Sequence, residues 1–152
     1  MKKEQKAWFQ VSLKVLLVNS RGKILILKAA KSGSFQGYYD LPGGRINVGE
    51  IKKPIAGLIR REIKEEVGEI KYELQPTPVA FGRHVIPAKF NSSKKPINVF
   101  YVFFIAKYKG EKIKISREHQ GFKWVNLSKI KLEKYFKSGI LEGVKKYTSS
   151  PI

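Results

Sequence analysis

Length and composition indicate one globular domain: the chain has 152 residues, 42% of them hydrophobic, and no cysteine. The absence of cysteine excludes disulfide bonds and thiolate metal sites. Lys and Arg total 31 against 12 Asp and Glu, and the resulting net charge of +19 favours polyanionic partners such as nucleotides, polyphosphates and RNA.

The sequence carries no recognisable secretion or membrane signal. Lys14 interrupts the apolar run near the N-terminus, and no small-residue cleavage site follows it. No apolar stretch approaches the roughly 20 residues that cross a bilayer. We therefore predict a cytoplasmic protein without a signal peptide or a membrane span, and with a single domain over residues 1–152.

Apolar patterning predicts a mixture of strands and helices. Alternating, β-branched and aromatic residues predict extended segments, in chain order, at residues 8–18, 23–29, 39–41, 70–74, 79–86, 97–108 and 121–127. Polar, Gly-rich and Pro-rich composition predicts a turn at 19–22 and loops at 30–37 and 87–96. The extended piece at 39–41 is expected to run into a Gly-Gly turn at 43–44. Helical periodicity is present at 54–67, with Gly57 inside the helix, and at 132–147. Gly68 is expected to end the first helix as a left-handed cap. This order of elements predicts an α+β domain.

Three glutamates are concentrated in the predicted central helix. Glu62, Glu65 and Glu66 fall within about one third of the helix circumference, next to an apolar stripe. In a cleft of effective dielectric near 20, each pair of carboxylates about 5 Å apart repels by roughly 3 kcal/mol. A divalent cation removes that repulsion, and all-oxygen ligands suit Mg²⁺ or Mn²⁺. Taken alone, the cluster is also explained by a solvated acidic face paired with nearby Arg and Lys side chains.

The residues around the cluster resemble the signature of the Nudix hydrolases. The matching residues, after the lead-in at residues 41–43, are Gly44, Glu50, Arg61, Glu62, Ile63, Glu65, Glu66 and Gly68. The signature, from Gly44 to Ile70, departs from the family pattern in two places. Ten residues rather than seven separate Glu50 from Arg61, and the aliphatic residue after Gly68 is delayed by Glu69 to Ile70. We place the three inserted residues in the loop at 51–53, because Pro54 suits a first helical turn.

The resemblance implies a mixed β-sheet sandwiched between helices and hydrolysis of a nucleoside diphosphate linked to another group. It implies Mg²⁺ or Mn²⁺ as cofactor. The implied metal ligands are the Gly43 carbonyl, Glu62, Glu65, Glu66 and the late Glu118, which lies six residues before Trp124. Either Glu62 or Glu118 is the implied general base. By the same resemblance, Arg61 orients a glutamate, and Glu50 supports the site without binding the metal itself.

The substrate is less well specified by the sequence. The candidates for substrate contacts are Tyr39, Arg45, Lys28 and Arg83. A nucleoside triphosphate is the first expectation, followed by a dinucleoside polyphosphate and an RNA 5′-end. A catalytically inactive module that binds nucleotides or RNA is the alternative class, and the oligomeric state is open, a homodimer included.

Overall fold

The computed structural model describes residues 3–149, so the two ends of the predicted 1–152 domain lie outside the described residues. Within this range the strands form one mixed sheet of eight strands. In chain order they are β1 (Gln10–Val18), β2 (Ile24–Lys28), β3 (Tyr39–Asp40), β4 (Gly43–Arg45), β5 (Lys71–Leu74), β6 (Ala80–Ile86), β7 (Ile97–Gly110) and β8 (Gly121–Val125). The helices are α1 (Ile55–Val67), α2 (Leu132–Tyr135) and α3 (Ser138–Ser149).

Strand β1 is central to this sheet. It pairs in parallel with β7, with Leu13 opposite Val102, and antiparallel with β2 and β4. Strand β7 is long enough to pair antiparallel with both β6 and β5 on its other side. Strand β2 continues the sheet to β3 and β8. The centre of β1 is therefore hydrogen-bonded on both sides and is buried.

Alternation along the strands divides the core into two layers, because successive side chains point to opposite faces of a sheet. On one face, Phe103 of β7 packs with Phe136 and Ile140 near and on α3. On the other face, Phe104 packs with Ile59 and Ile63 of α1. The sheet thus lies between helices, as predicted, and α1 is fixed against the sheet by its apolar stripe.

The structure corrects three local predictions. The Gly-Gly turn is a strand, β4, because Gly43 and Gly44 lie directly opposite Lys14 and Leu13 of β1. The predicted terminal helix is broken between α2 and α3, where Phe136 has extended dihedral angles and its side chain is fully buried. Gly68 ends α1 with a positive φ of 96°, but its ψ of −171° is extended rather than left-handed helical.

Other predictions agree with the structure. Helix 54–67 is observed as α1, and Gly57 lies inside it. The three inserted residues lie in the loop between the short turn Val48–Glu50 and α1. No helix within residues 3–149 has the length and apolar character needed to cross a membrane.

The contact between β6 and α3 generates a stability prediction. A Cβ at Gly82 would lie 2.0 Å from the carbonyl oxygen of Gly139, which is backbone and cannot move aside cheaply. We expect Gly82→Ala to destabilise the protein by at least about 1–3 kcal/mol in urea unfolding.

Gly57→Ala is the matched control for this prediction. Apart from its chain neighbours and the backbone of its own helix, nothing in the described residues lies within 4 Å of a Cβ at Gly57. Gly57 is inside a helix, so this change is expected to stabilise by up to about 1 kcal/mol. Equal stability of Gly82→Ala and the parent would contradict the described packing of α3 on β6.

Candidate active site

A polar cleft of about 350 Å³ lies where β4, α1 and the loop before β8 meet. Its lining contains the predicted metal ligands together with polar residues of the neighbouring loops: Gly43, Gly44, Arg45, Asn47, Glu62, Glu65, Glu66, Ser116 and Glu118. The loop is attached to the helix end, because the N–H of Ser116 donates to the carbonyl oxygen of Glu66 at 3.0 Å. The fold therefore brings Glu118 to the helix carboxylates across a long stretch of sequence.

Glu66 is the most buried carboxylate of the cleft, with 8% of its surface exposed. Its Oε2 accepts a hydrogen bond from the N–H of Gly43 at 2.9 Å. Burial raises the pKa of Glu66 to about 8, although Lys14 and the Gly43 N–H oppose the shift. A group so costly to ionise without a partner is a candidate for cation binding.

Glu62 lies against the backbone of β4. A Cβ at Gly44 would be 2.6 Å from the Glu62 carboxylate, so only glycine at this position allows the approach. Burial raises the pKa of Glu62, while Arg61, 3.2 Å away from Nη2 to Oε1, lowers it.

Arg61 connects three of the carboxylates. Its Nε and Nη2 donate to the two oxygens of Glu50, both at 2.9 Å, and Nη1 reaches both oxygens of Glu65 at 3.3 Å. Glu50 is 7% exposed, and the backbone N–H of Asn47 and the Arg61 guanidinium together keep its pKa below the ordinary value. The bidentate pair with Glu50 holds Arg61 in contact with Glu62 and Glu65.

The cleft fits a hard divalent cation by donor chemistry, since its side chains supply carboxylate oxygens. It is not arranged as a closed ligand set: within residues 3–149, no three His, Cys, Asp or Glu side chains are grouped so that they could hold a metal ion. Glu65, with a side chain 57% exposed, is paired with Arg61. Metal ligation by Glu62, Glu65, Glu66, Glu118 and the Gly43 carbonyl accordingly remains a prediction.

The predicted substrate contacts are dispersed. Arg45 lines the cleft, and its Nη1 donates to Gln10 Oε1 at 2.8 Å. Tyr39 of β3 pairs with Lys28 of β2, and neither lines the cleft. Arg83 also lies outside it, on β6, where it bonds with Glu142 of α3. Of the four candidates, only Arg45 lies in the cleft.

Sequence reasoning missed several residues in or behind the cleft. Asn47 and Ser116 line it, and Lys14 is buried beneath it, 3.1 Å from Asp40. Lys14 entered the sequence argument only as a charge that interrupts an apolar run. Its position was nevertheless a signal. Lys14 is a single ionisable residue in the middle of an apolar predicted strand, and such a group is buried only with a charged or hydrogen-bonding partner.

Comparison with known proteins decides the family. The model of the NUDIX domain family matches residues 8–144. The chain belongs to the Nudix hydrolase family. A curated relative, nucleoside triphosphatase NudI from Escherichia coli O1:K1 / APEC, is 32% identical over 111 residues, which cover 72% of this chain and 77% of NudI. The enzyme is therefore a Nudix-type pyrophosphohydrolase, a class that generally uses divalent metals.

Solved structures show the same fold. A MutT protein from Methanosarcina mazei Go1 superposes with a TM-score of 0.66 at 21% identity, covering 95% of this chain and 94% of that one. An ADP-ribose pyrophosphatase from Streptococcus suis 89-1591 gives a TM-score of 0.58 at 17% identity, with 91% and 87% covered. At these identities the likeness establishes the Nudix fold alone.

The raised pKa of Glu66 generates a pH prediction for the metal-free enzyme. The carboxyl has a pKa of about 8 when folded against an ordinary 4.5, so the folded state holds a proton that the unfolded state releases between these values. Its contribution to stability is complete below pH 4.5 and is lost as pH rises through the folded pKa, by at most about 1.4 kcal/mol per pH unit.

Glu66→Gln removes this titration and keeps an oxygen to accept the Gly43 N–H. With EDTA present, we expect the stability of the variant relative to the parent to increase as pH rises from 5 to 8, measured by urea unfolding at each pH. Subtracting the parent curve cancels the titration of the other groups. A difference that is flat across this range would refute the assigned environment of Glu66.

Proposed function

We propose that this Nudix hydrolase is a Mg²⁺- or Mn²⁺-dependent nucleoside triphosphate pyrophosphohydrolase. The observation that carries the proposal is the single cleft in which the glutamates of α1, the Gly43–Gly44 backbone and Glu118 converge. The name of the E. coli relative, a nucleoside triphosphatase, supports this substrate class over the others. Residues 1–152 would act as one domain.

The proposed reaction is attack of water on a phosphorus of the triphosphate chain, with a nucleoside monophosphate and pyrophosphate as products. A bound divalent cation would neutralise phosphate charge and lower the pKa of a water molecule. Glu62, Glu65, Glu66, Glu118 and the Gly43 carbonyl would hold it.

The remaining residues of the site have separate proposed roles. Glu62 or Glu118 takes the proton of the attacking water. Arg61, fixed by Glu50, keeps Glu62 and Glu65 in place. Arg45 on the cleft wall is the cation best placed to meet a phosphate of the substrate.

The first prediction from this proposal is metal-dependent turnover. We expect pyrophosphate and a nucleoside monophosphate to be released from at least one nucleoside triphosphate with Mg²⁺ or Mn²⁺, and neither product with EDTA. A screen that also contains dinucleoside polyphosphates, nucleotide sugars, ADP-ribose and triphosphorylated RNA identifies the substrate. Faster turnover of dinucleotides or RNA would replace the triphosphate assignment, and equal activity in EDTA would overturn the metal-dependent mechanism.

The second prediction separates metal-binding glutamates from ordinary surface acids. Glu66→Gln removes one charge from the proposed ligand set, so we expect kcat to fall by about 100-fold or more and Mg²⁺ to raise the melting temperature less than it does in the parent. The matched control is Glu69→Gln, because Glu69 lies three residues further on, is exposed and pairs only with Lys64 among the ion pairs of the described residues. Full activity in Glu66→Gln with loss in Glu69→Gln would show that the signature is misaligned.

A further inference from the structure

Lys14 is a buried cation beneath the cleft. It belongs to the central strand β1 and is 6% exposed. Its Nζ donates to Asp40 Oδ2 at 3.1 Å and to the carbonyl oxygen of Leu41 at 3.4 Å, and lies 5.8 Å from the centre of the Tyr101 ring. Burial lowers the pKa of Lys14, but the carboxylates of Asp40 and Glu66 outweigh it and raise the pKa to about 12, so the side chain is charged.

Both of these side-chain hydrogen bonds of Lys14 go to the short segment that precedes β4. The main chain of β1 holds the same segment, because the N–H of Val15 donates to the Pro42 oxygen at 2.8 Å. Asp40 adds a local contact, with Oδ1 accepting from the N–H of Leu41 at 2.7 Å. Each of the three residues 40–42 is thus bonded to β1. The Lys14 side chain holds Asp40 and the Leu41 carbonyl, and the Val15 N–H holds the Pro42 carbonyl.

This segment leads directly to the bond that places Glu66. Gly43 lies opposite Lys14 in the sheet, and its N–H donates to Glu66 Oε2 at 2.9 Å. A shift of residues 40–42 away from β1 would move the Gly43 N–H and carbonyl together, because both peptide groups flank a single residue. The position of Lys14 therefore affects the Gly43 N–H and the Gly43 carbonyl, two groups of the cleft that do not belong to α1.

We propose that Lys14 is a positioning residue for the hydrolysis: its ammonium fastens Asp40 and the Leu41 carbonyl to β1 and so sets the Gly43 peptide groups against Glu66. This role deepens the proposed function and rests on it where turnover is concerned. The ammonium is required rather than an apolar side chain of the same length, since Asp40 and the Leu41 carbonyl both accept hydrogen bonds from it.

The test begins with Lys14→Met, which keeps the length of the side chain and removes the donor and the charge. In the metal-free protein we expect the Gly43 amide to exchange with solvent at least about tenfold faster, relative to amides of β7, since its hydrogen bond to Glu66 Oε2 is weakened. With metal, we expect weaker Mn²⁺ binding in a titration followed by electron paramagnetic resonance. We expect kcat to fall while KM for the nucleotide stays near the parent value.

Lys14→Met leaves Asp40 without its cation and can lose stability for that reason alone. The double variant Lys14→Met/Asp40→Asn removes the unpaired charge as well. We expect it to recover melting temperature but not Gly43 protection, Mn²⁺ affinity or kcat. Ile140→Val, in the core layer under α3 and outside the cleft, is the control for lost stability and should leave these three quantities unchanged.

The absence of cysteine from the chain allows a rescue of the ammonium. Lys14→Cys can be alkylated with bromoethylamine while unfolded and then refolded, which restores a lysine-like side chain at this position alone. We expect Gly43 protection and kcat to return, with the parent taken through the same cycle as reference. Parent-like Gly43 exchange, Mn²⁺ affinity and kcat in both Lys14 variants would overturn the proposal and leave Lys14 a structural ion pair. A parent without metal-dependent turnover would instead refute the proposed function, while Gly43 exchange would still decide the role of Lys14.

Discussion

The hydrogen bond from the Gly43 N–H to the Glu66 carboxylate joins the sheet to the helix that carries the acidic cluster. It is possible because the Gly43 backbone lies so close to β1 that a Cβ would be 1.8 Å from the oxygen of Leu13. Glycine at a φ of 135° is the residue that accepts this position. The same close approach pairs β4 with β1 as a strand, and the Gly43 N–H then faces Glu66 of α1. The location of the cleft follows from that one backbone constraint.

Charge balance explains which groups of the site are satisfied and which are not. Arg61 neutralises the charge of Glu50, and partly that of Glu65, by direct contact. Lys14 neutralises the charge of Asp40. Among residues 3–149, Glu66 has one hydrogen-bond donor, the Gly43 N–H, and the charge of Lys14, which is itself bonded to Asp40, attracts it from a distance. Burial therefore leaves the ionisation of Glu66 costly. In a chain of net charge +19, an acidic centre left under-compensated is the physical reason to expect a cation there.

The three-residue insertion in the signature is accommodated without disturbing this balance. Glu50 ends the short turn Val48–Glu50, and its carboxylate is held by the Asn47 N–H and by Arg61. The inserted residues follow in an exposed loop, where Ile51 is 75% exposed. Added length in an exposed loop costs little entropy, whereas the part-buried bidentate pair resists displacement.

The sequence by itself determined the family resemblance, the helix at 54–67 and the acidic cluster, because periodicity and motif spacing are local properties. It placed Glu62, Glu65 and Glu66 on one helix face for the same reason. Only the tertiary structure decided that Gly43–Arg45 is a strand, that Ser116 lines the cleft beside the Glu118 implied by the resemblance, and that Lys14 is buried beneath it with Asp40 as partner. Each of these depends on which residues from distant segments become neighbours, and a strand or ion pair formed in that way leaves no periodic signal in the chain.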